Sequence, residues 1–186
     1  MAKILLVDVD SKIPNLALMK LSTYYKLQGY SVDIQRLYYS GYPDKRTKTI
    51  ISAKGYTKVF ASSIFTINKS WVEIIDCDDI NFGGTGYDIT INLPEEIDNC
   101  QEDYSIYPEN NKSYGFLTRG CIRNCPFCFV PKKEGMLRPY RTIDQIKQHK
   151  IVEFLDNNFL AYEKCEDILE ELIDKKIRCN FNQGLD

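Results

Sequence analysis

The run from Gly120 to Phe129, Gly-Cys-Ile-Arg-Asn-Cys-Pro-Phe-Cys-Phe, restricts what this chain can become more than any other stretch. It sets Cys121, Cys125 and Cys128 in a C-x3-C-x2-C array, and Pro126 keeps the segment from continuing as ordinary helix. The thiols therefore belong on a loop. Three sulfurs offered from so short a loop suit a cubane iron–sulfur cluster, whose irons prefer thiolates and ordinarily take four cysteines. No fourth cysteine follows nearby, which leaves one iron open to a ligand that is not protein.

Other uses of the three thiols make different demands. Zinc needs a fourth ligand from Cys165, Cys179 or His149, and the array lacks the paired C-x2-C spacing of zinc ribbons. A disulfide framework sits badly with seven cysteines, an odd number, and with an opening Ile4-Leu-Leu-Val7 too short for a secretory leader. An inert buried trio sits badly with Arg119, Arg123, Lys132 and Lys133, whose charges suit thiolates.

With Phe127 directly before the last thiol, the array resembles the signature of radical S-adenosylmethionine (SAM) proteins. The wider run from Gly115 to Gly135 is similar in particular to members with an N-terminal cobalamin-binding-like domain. The resemblance implies a [4Fe-4S] cluster with Cys121, Cys125 and Cys128 as its metal ligands and SAM chelating the open iron. It implies reductive cleavage of SAM to a 5′-deoxyadenosyl radical, with the electron coming from a flavodoxin- or ferredoxin-like donor and the substrate unknown. Phe127 would then lie near the adenine, and Asp156 and Asn157 at the strand end facing the amino group of SAM. The family often has Gly-Gly-Glu there, whereas Asp156-Asn-Asn-Phe159 resembles an Asp-x-x-Phe variant. From the residues alone, Asp156 to Asn158 also reads as a strand-terminating turn and Phe127 as loop packing. The alternative to an enzyme is a non-catalytic iron–sulfur or zinc-binding module that docks on a partner.

A chain of 186 residues has room for one good core or two small ones, and a net charge of −2 exerts no global pull on nucleic acid or membrane. No apolar run reaches the roughly 18 residues of a membrane span. A cytoplasmic, reducing setting is expected, where thiols stay free to hold iron. Between 119 and 141, Arg119, Arg123, Lys132, Lys133, Arg138 and Arg141 face a single acid, Glu134. Such a patch reads as a solvated rim or a landing place for an acidic electron donor. RNA is the lesser option because no interleaved stacking aromatics accompany the charges.

Along the chain, short apolar runs alternate with helical spacing. Strands are expected over Lys3–Val9, Tyr30–Ile34 and Lys58–Ile64, and helices from Pro14 to Leu27, Asp44 to Ala53 and Asn68 to Ile75. The pattern predicts an α/β fold whose first part is a doubly wound, flavodoxin- or Rossmann-like parallel sheet with helices on both faces. The glycine-rich Asn81–Tyr87 is either a tight turn or a close approach to a ligand. Pro14-Asn-Leu-Ala-Leu-Met19 and this loop look like features of cobalamin-binding-like domains. The Asp-x-His-x-x-Gly motif that supplies a lower axial histidine is absent, so a substrate or packing role is expected of the domain in place of bound cobalamin.

The acidic, irregular stretch Leu93–Lys112 reads as a connection, giving a first domain over 1–95, a linker over 96–112 and a second domain over 113–186. Cys77 and Cys100 have no ligand spacing to a partner. In the second domain, strands are expected at Tyr114–Arg119, Ile151–Leu155 and Ile177–Asn182. A helix capped by Thr142 would carry Ile143, Ile146 and a structural His149, and another would cover Cys165–Lys175. These are the first three strand–helix units of a partial TIM-type radical SAM barrel, of which about six are expected from the size of such units. The core is thus expected to be truncated, split, or completed by a dimer or a second chain covering the open sheet edge.

Overall fold

In the computed structural model, which describes residues 2–37 and 48–183, the apolar run at the N-terminus forms β1 (Lys3–Asp8). Five of its six residues are buried, as a strand covered on both faces requires. Each of Ile4, Leu5, Leu6 and Val7 contributes about 1.5–3 kcal/mol by leaving water. β1 pairs in parallel with β2 (Ser31–Arg36) on one side and β4 (Lys58–Ser62) on the other, and β6 (Ile80–Gly83) adds to β4. The strand order is β2-β1-β4-β6, all parallel.

The two faces of this sheet are covered differently. Ile4 and Leu6 pack beneath α1 (Leu16–Leu27), with Leu18, Met19 and Leu21 of the helix turned inward. Asn15 caps that helix, its side chain accepting from the Leu18 amide at 3.2 Å, so Pro14 stands just outside the first turn. On the other face Leu5, Val7, Val59 and Ala61 meet Ile51, Val72 and Ile74. Those three come from a two-stranded parallel sheet, β3 (Thr49–Ser52) with β5 (Val72–Ile75), where helices were expected. Residues 44–47 of the first expected helix lie outside the described residues. Its remainder is extended because the β-branched Thr49, Ile50 and Ile51 suit a pleated surface. The second expected helix shrinks to a single 3-10 turn at Lys69–Trp71. Val72–Ile75 then alternates buried with exposed, and pairing with β3 outweighs its weak helical spacing.

Of the stretch expected as a linker, residues 96–108 belong to the first unit, which runs to Pro108, and 109–112 to the second. A short helix, α2 (Glu95–Asp98), and a 3-10 turn at Tyr104–Ile106 bring Ile97, Ile106 and Tyr107 into the core beside α1. Its acidity answers cations on that helix. Lys20, almost fully buried, meets Asp98 at 2.7 Å and Glu102 at 4.0 Å, and Lys26 meets Asp103 at 2.6 Å. A buried lysine needs such partners.

The second unit, 109–186, is built on the parallel sheet β11-β10-β7, from β7 (Lys112–Gly115), β10 (Ile151–Phe154) and β11 (Arg178–Phe181). Its core joins Val152 and Phe154 to Leu117, Phe159, Ile143 and Ile146 of α4 (Ile143–Ile146), and Leu172 of α5 (Cys165–Asp174). Thr142 does cap α4, in a reciprocal capping box with Gln145. That helix stops at Ile146, however, and His149 lies beyond it. The buried hydroxyl of Ser113 takes the amides of Gln148 and His149, each at 2.8 Å, so they do not continue the helical ladder. Both units are thus α/β with parallel sheets, and no described helix is long and apolar enough to cross a membrane.

Candidate functional site

The strand expected from Tyr114 to Arg119 is two strands with a break at Phe116 and Leu117. β8 (Thr118–Arg119) leaves the parallel sheet and pairs antiparallel with β9 (Arg138–Pro139). The break is enforced by Asp156, just past the end of β10. Its carboxylate accepts the Leu117 amide at 3.2 Å, the Thr118 amide at 2.5 Å and the Thr118 hydroxyl at 2.7 Å. Asp156 is 1% exposed. Burial pushes its carboxyl above the ordinary range, against the opposing pull of the Thr118 and Leu117 hydrogen bonds. Both oxygens are therefore already engaged by the chain.

Because β8 and β9 pair, the residues between them form an excursion whose two ends meet. Gly120, with φ of +84°, passes so close to the Gly135–Met136 backbone that a side chain there would collide with the Met136 carbonyl. The three thiols ride on this excursion. All are free, Cys121 and Cys125 half-buried and Cys128 exposed. The Cys128 amide donates to the Cys125 carbonyl at 3.0 Å, closing a turn over Pro126 and Phe127. From Val130 the chain enters α3 (Val130–Glu134).

Two N–H groups point at the sulfur of Cys121: the Arg123 amide at 3.3 Å and Nδ2 of Asn158 at 3.5 Å. Asn158 is itself buried, and its Oδ1 has no hydrogen-bond partner among the described residues. Asn157 turns the other way and donates to Oε2 of Glu134 at 2.9 Å. That same oxygen receives the Gly120 amide at 3.1 Å, while Oε1 receives Arg119 at 3.1 Å. Glu134, visible in the sequence only as the lone acid of a basic segment, ties the start of the cysteine excursion to its end and to the turn after β10. Its role could not be read locally, because its partners lie 14, 15 and 23 residues away.

The basic patch is partly spent inside the fold. The Arg119 guanidinium sits 4.0 Å from the centre of the Phe116 ring, and Arg138 donates to the Glu134 carbonyl at 2.5 Å. Phe127 is not consumed by loop packing: it is 92% exposed, and Ile122, Phe129 and Met136 are more than half exposed as well.

Among the described residues no three His, Cys, Asp or Glu side chains converge on a point that could hold one metal ion. That geometry belongs to a single ion, whose thiolates at 2.3 Å stand only about 3.8 Å apart around a tetrahedron. A cube distributes three thiolates over three different irons and does not require it. The donor set fits a cluster by its chemistry: three free thiols on one non-helical loop and N–H donors aimed at one sulfur. The remaining candidate ligands are engaged elsewhere. Cys165 donates to the Leu160 carbonyl at 3.5 Å, the His149 ring lies 3.3 Å from the Ser113 hydroxyl, and burial raises the Cys179 thiol. In the first unit Cys77 and Cys100 point at backbone carbonyls.

The glycine-rich loop of the first unit closes on its own chain. Added side chains at Gly84 or Gly86 would strike the Ser63 and Phe65 backbone. That backbone is held by Asp10, which accepts from the Ile64 and Phe65 amides, the Ser63 hydroxyl and Asn68. Of the two sequence-level options, close packing in a turn describes these glycines. Comparison of the chain with models of protein families, with curated proteins and with solved structures found no match.

Proposed function

We propose that the chain is a radical SAM enzyme, or the N-terminal portion of one, with Cys121, Cys125 and Cys128 holding a [4Fe-4S] cluster. In this reading the first unit is the cobalamin-binding-like domain, with a two-stranded sheet in place of helices on one face, and the second is a partial radical SAM barrel, working in the cytoplasm with a flavodoxin- or ferredoxin-like electron donor. One observation carries the reading: a loop with three free thiols is fastened beside the C-terminal ends of parallel strands, and two N–H groups are donated to the sulfur of Cys121. Sites in parallel α/β proteins collect at that end of the sheet.

Bound there, the cluster would supply the electron that cleaves the sulfonium of SAM to methionine and a 5′-deoxyadenosyl radical. The chain's residues hold and orient. Asp156 fixes the point where the chain leaves β7, and Glu134 joins the two ends of the cysteine excursion, so the sulfurs are carried on a braced loop. Exposed Phe127 offers a ring face to the adenine, and Asn157 is the residue left for the methionyl end, because Asp156, expected there too, is buried with both carboxylate oxygens held by Leu117 and Thr118.

Anaerobic reconstitution with iron and sulfide, followed by dithionite and SAM, tests the proposal. Iron and sulfide bound near four each, with 5′-deoxyadenosine formed, is the expected result, since the cube holds four of each. A brown protein that forms none would make the chain a non-catalytic iron–sulfur module. One zinc per chain and no iron would reject the cluster.

A further inference from the structure

Asn158 is 1% exposed, and its carboxamide has one end on Cys121 and, among the described residues, no hydrogen-bond partner at the other. Leaving the Oδ1 acceptor buried and unmet costs about 1–3 kcal/mol. Turning the carboxamide half a revolution would not recover that cost, because it would aim an oxygen lone pair at the sulfur and leave the amide hydrogens in the empty direction. The orientation with Nδ2 on the sulfur is the one that gives a negatively charged sulfur a donor. Hydrogen bonds to the ligand sulfurs are among the levers that set the potential of iron–sulfur clusters, since they stabilise the more negative, reduced state.

We infer that Asn158 is a positioning residue that raises the reduction potential of the cluster through its Nδ2–H···Sγ bond to Cys121; this rests on the cluster reading above. Of the two donors on that sulfur, the Arg123 amide is backbone and survives any side-chain change, so Asn158 is the adjustable one. Its removal shifts the electron affinity by a graded amount and leaves the three thiolate ligands in place.

The test compares the wild-type chain with Asn158→Leu and Asn158→Asp, each reconstituted anaerobically with iron and sulfide. Iron content, far-UV circular dichroism and a potentiometric titration followed by electron paramagnetic resonance are measured. All three proteins are expected to load the same iron. In Asn158→Leu the one-electron reduction equilibrium should move toward the oxidised form by about three- to tenfold, where tenfold corresponds to about 59 mV. Asn158→Asp should move further the same way, because a carboxylate opposes added charge on the sulfur. Midpoints equal to wild type in both loaded variants would overturn the role of Asn158 and leave the cluster reading standing. Failure of the wild type to take up iron and sulfide would overturn the cluster reading and this inference with it. Should Asn158→Leu not fold, Asn158→Asp, of nearly identical shape, decides the matter alone.

Discussion

Thr118 gives the hydrogens of both its amide and its hydroxyl to one carboxylate oxygen of Asp156, at 2.5 and 2.7 Å, across 38 residues of chain. The other oxygen takes the Leu117 amide. Asp156→Ala would strand three buried donors, each costing about 1–3 kcal/mol when left unmet, so a loss of about 3 kcal/mol or more in unfolding free energy is expected. Asp156→Asn keeps the shape but sets an amide against donors, and about half that loss is expected. Urea unfolding of the three proteins measures both. An Asp156→Ala chain as stable as wild type would mean that this carboxylate is not what breaks the strand after β7.

Glu153 on β10 gathers Lys112 at 2.6 Å, Asn180 at 3.1 Å and Asn182 at 2.7 Å, which joins all three strands of the second sheet. Burial pushes its carboxyl up, but the hydrogen bonds from Lys112 and the two asparagines outweigh that and hold it below the ordinary value. A carboxyl lowered by folding contributes stability that is present above its unfolded pKa and is lost as pH falls through the folded one. Glu153→Gln should therefore cost about 1 kcal/mol at pH 7 and progressively less below about pH 4.3, the two chains converging in acid. Thermal melts of both proteins from pH 7 to pH 3 check this; a gap that widens in acid would reverse the sign and defeat it.

The strands and helices that could be read in advance are those whose own residues carry the period. β1, α1, β10 and α5 have apolar residues spaced to face one core, and Thr142 with Gln145 announces the start of α4. β5 was hidden because Val72–Ile75 is a strand only by virtue of β3 beside it. The stretch after Leu93 looked like a connection because its charges outnumber its anchors, yet Ile97, Ile106 and Tyr107 suffice to seat it once Lys20 and Lys26 neutralise its acids. At the candidate site the loop character of the cysteine array followed from Pro126. The bracing by Glu134 and the contact of Asn158 with Cys121 did not, since each joins residues that only the folded backbone brings together.

Asp8 provides a pH dependence of the opposite sign. It is 1% exposed at the end of β1, accepting from the Tyr107 hydroxyl at 2.8 Å and the Ser11 amide at 3.1 Å, with Arg36 at 3.7 Å. Burial pushes its carboxyl up by more than Ser11, Tyr107 and Arg36 pull it down. A carboxyl raised by folding contributes stability that is complete below its unfolded pKa and is lost as pH rises through the folded one. Asp8→Asn removes that dependence. Its melting temperature relative to wild type should be more favourable at pH 7 than at pH 4. A flat difference would show that the fold prefers neither form of Asp8, and one that runs the other way that it prefers the ionised form.

Gly120 and Gly55 share a left-handed backbone, with φ of +84° and +88°, but not their surroundings. Nothing lies within 4 Å of a side chain added at Gly55, whereas one at Gly120 would meet the Gly135 carbonyl oxygen at 2.6 Å and collide with the Met136 carbonyl. Gly55→Ala should therefore lose only the conformational cost of that backbone, about 1–2 kcal/mol. Gly120→Ala bears the same cost and must also push apart the two ends of the cysteine excursion, because a backbone carbonyl cannot rotate aside as a flexible side chain does. A loss larger than that of Gly55→Ala by about 1–3 kcal/mol is expected in urea unfolding, in the range of overpacked sites. The Cys121 amide, which donates to the Gly135 carbonyl at 3.3 Å, should also exchange its hydrogen faster in Gly120→Ala and not in Gly55→Ala. Equal losses in the two variants, with exchange at Cys121 unchanged, would mean that the excursion is not pinched at its neck and that the thiols are carried on a looser loop.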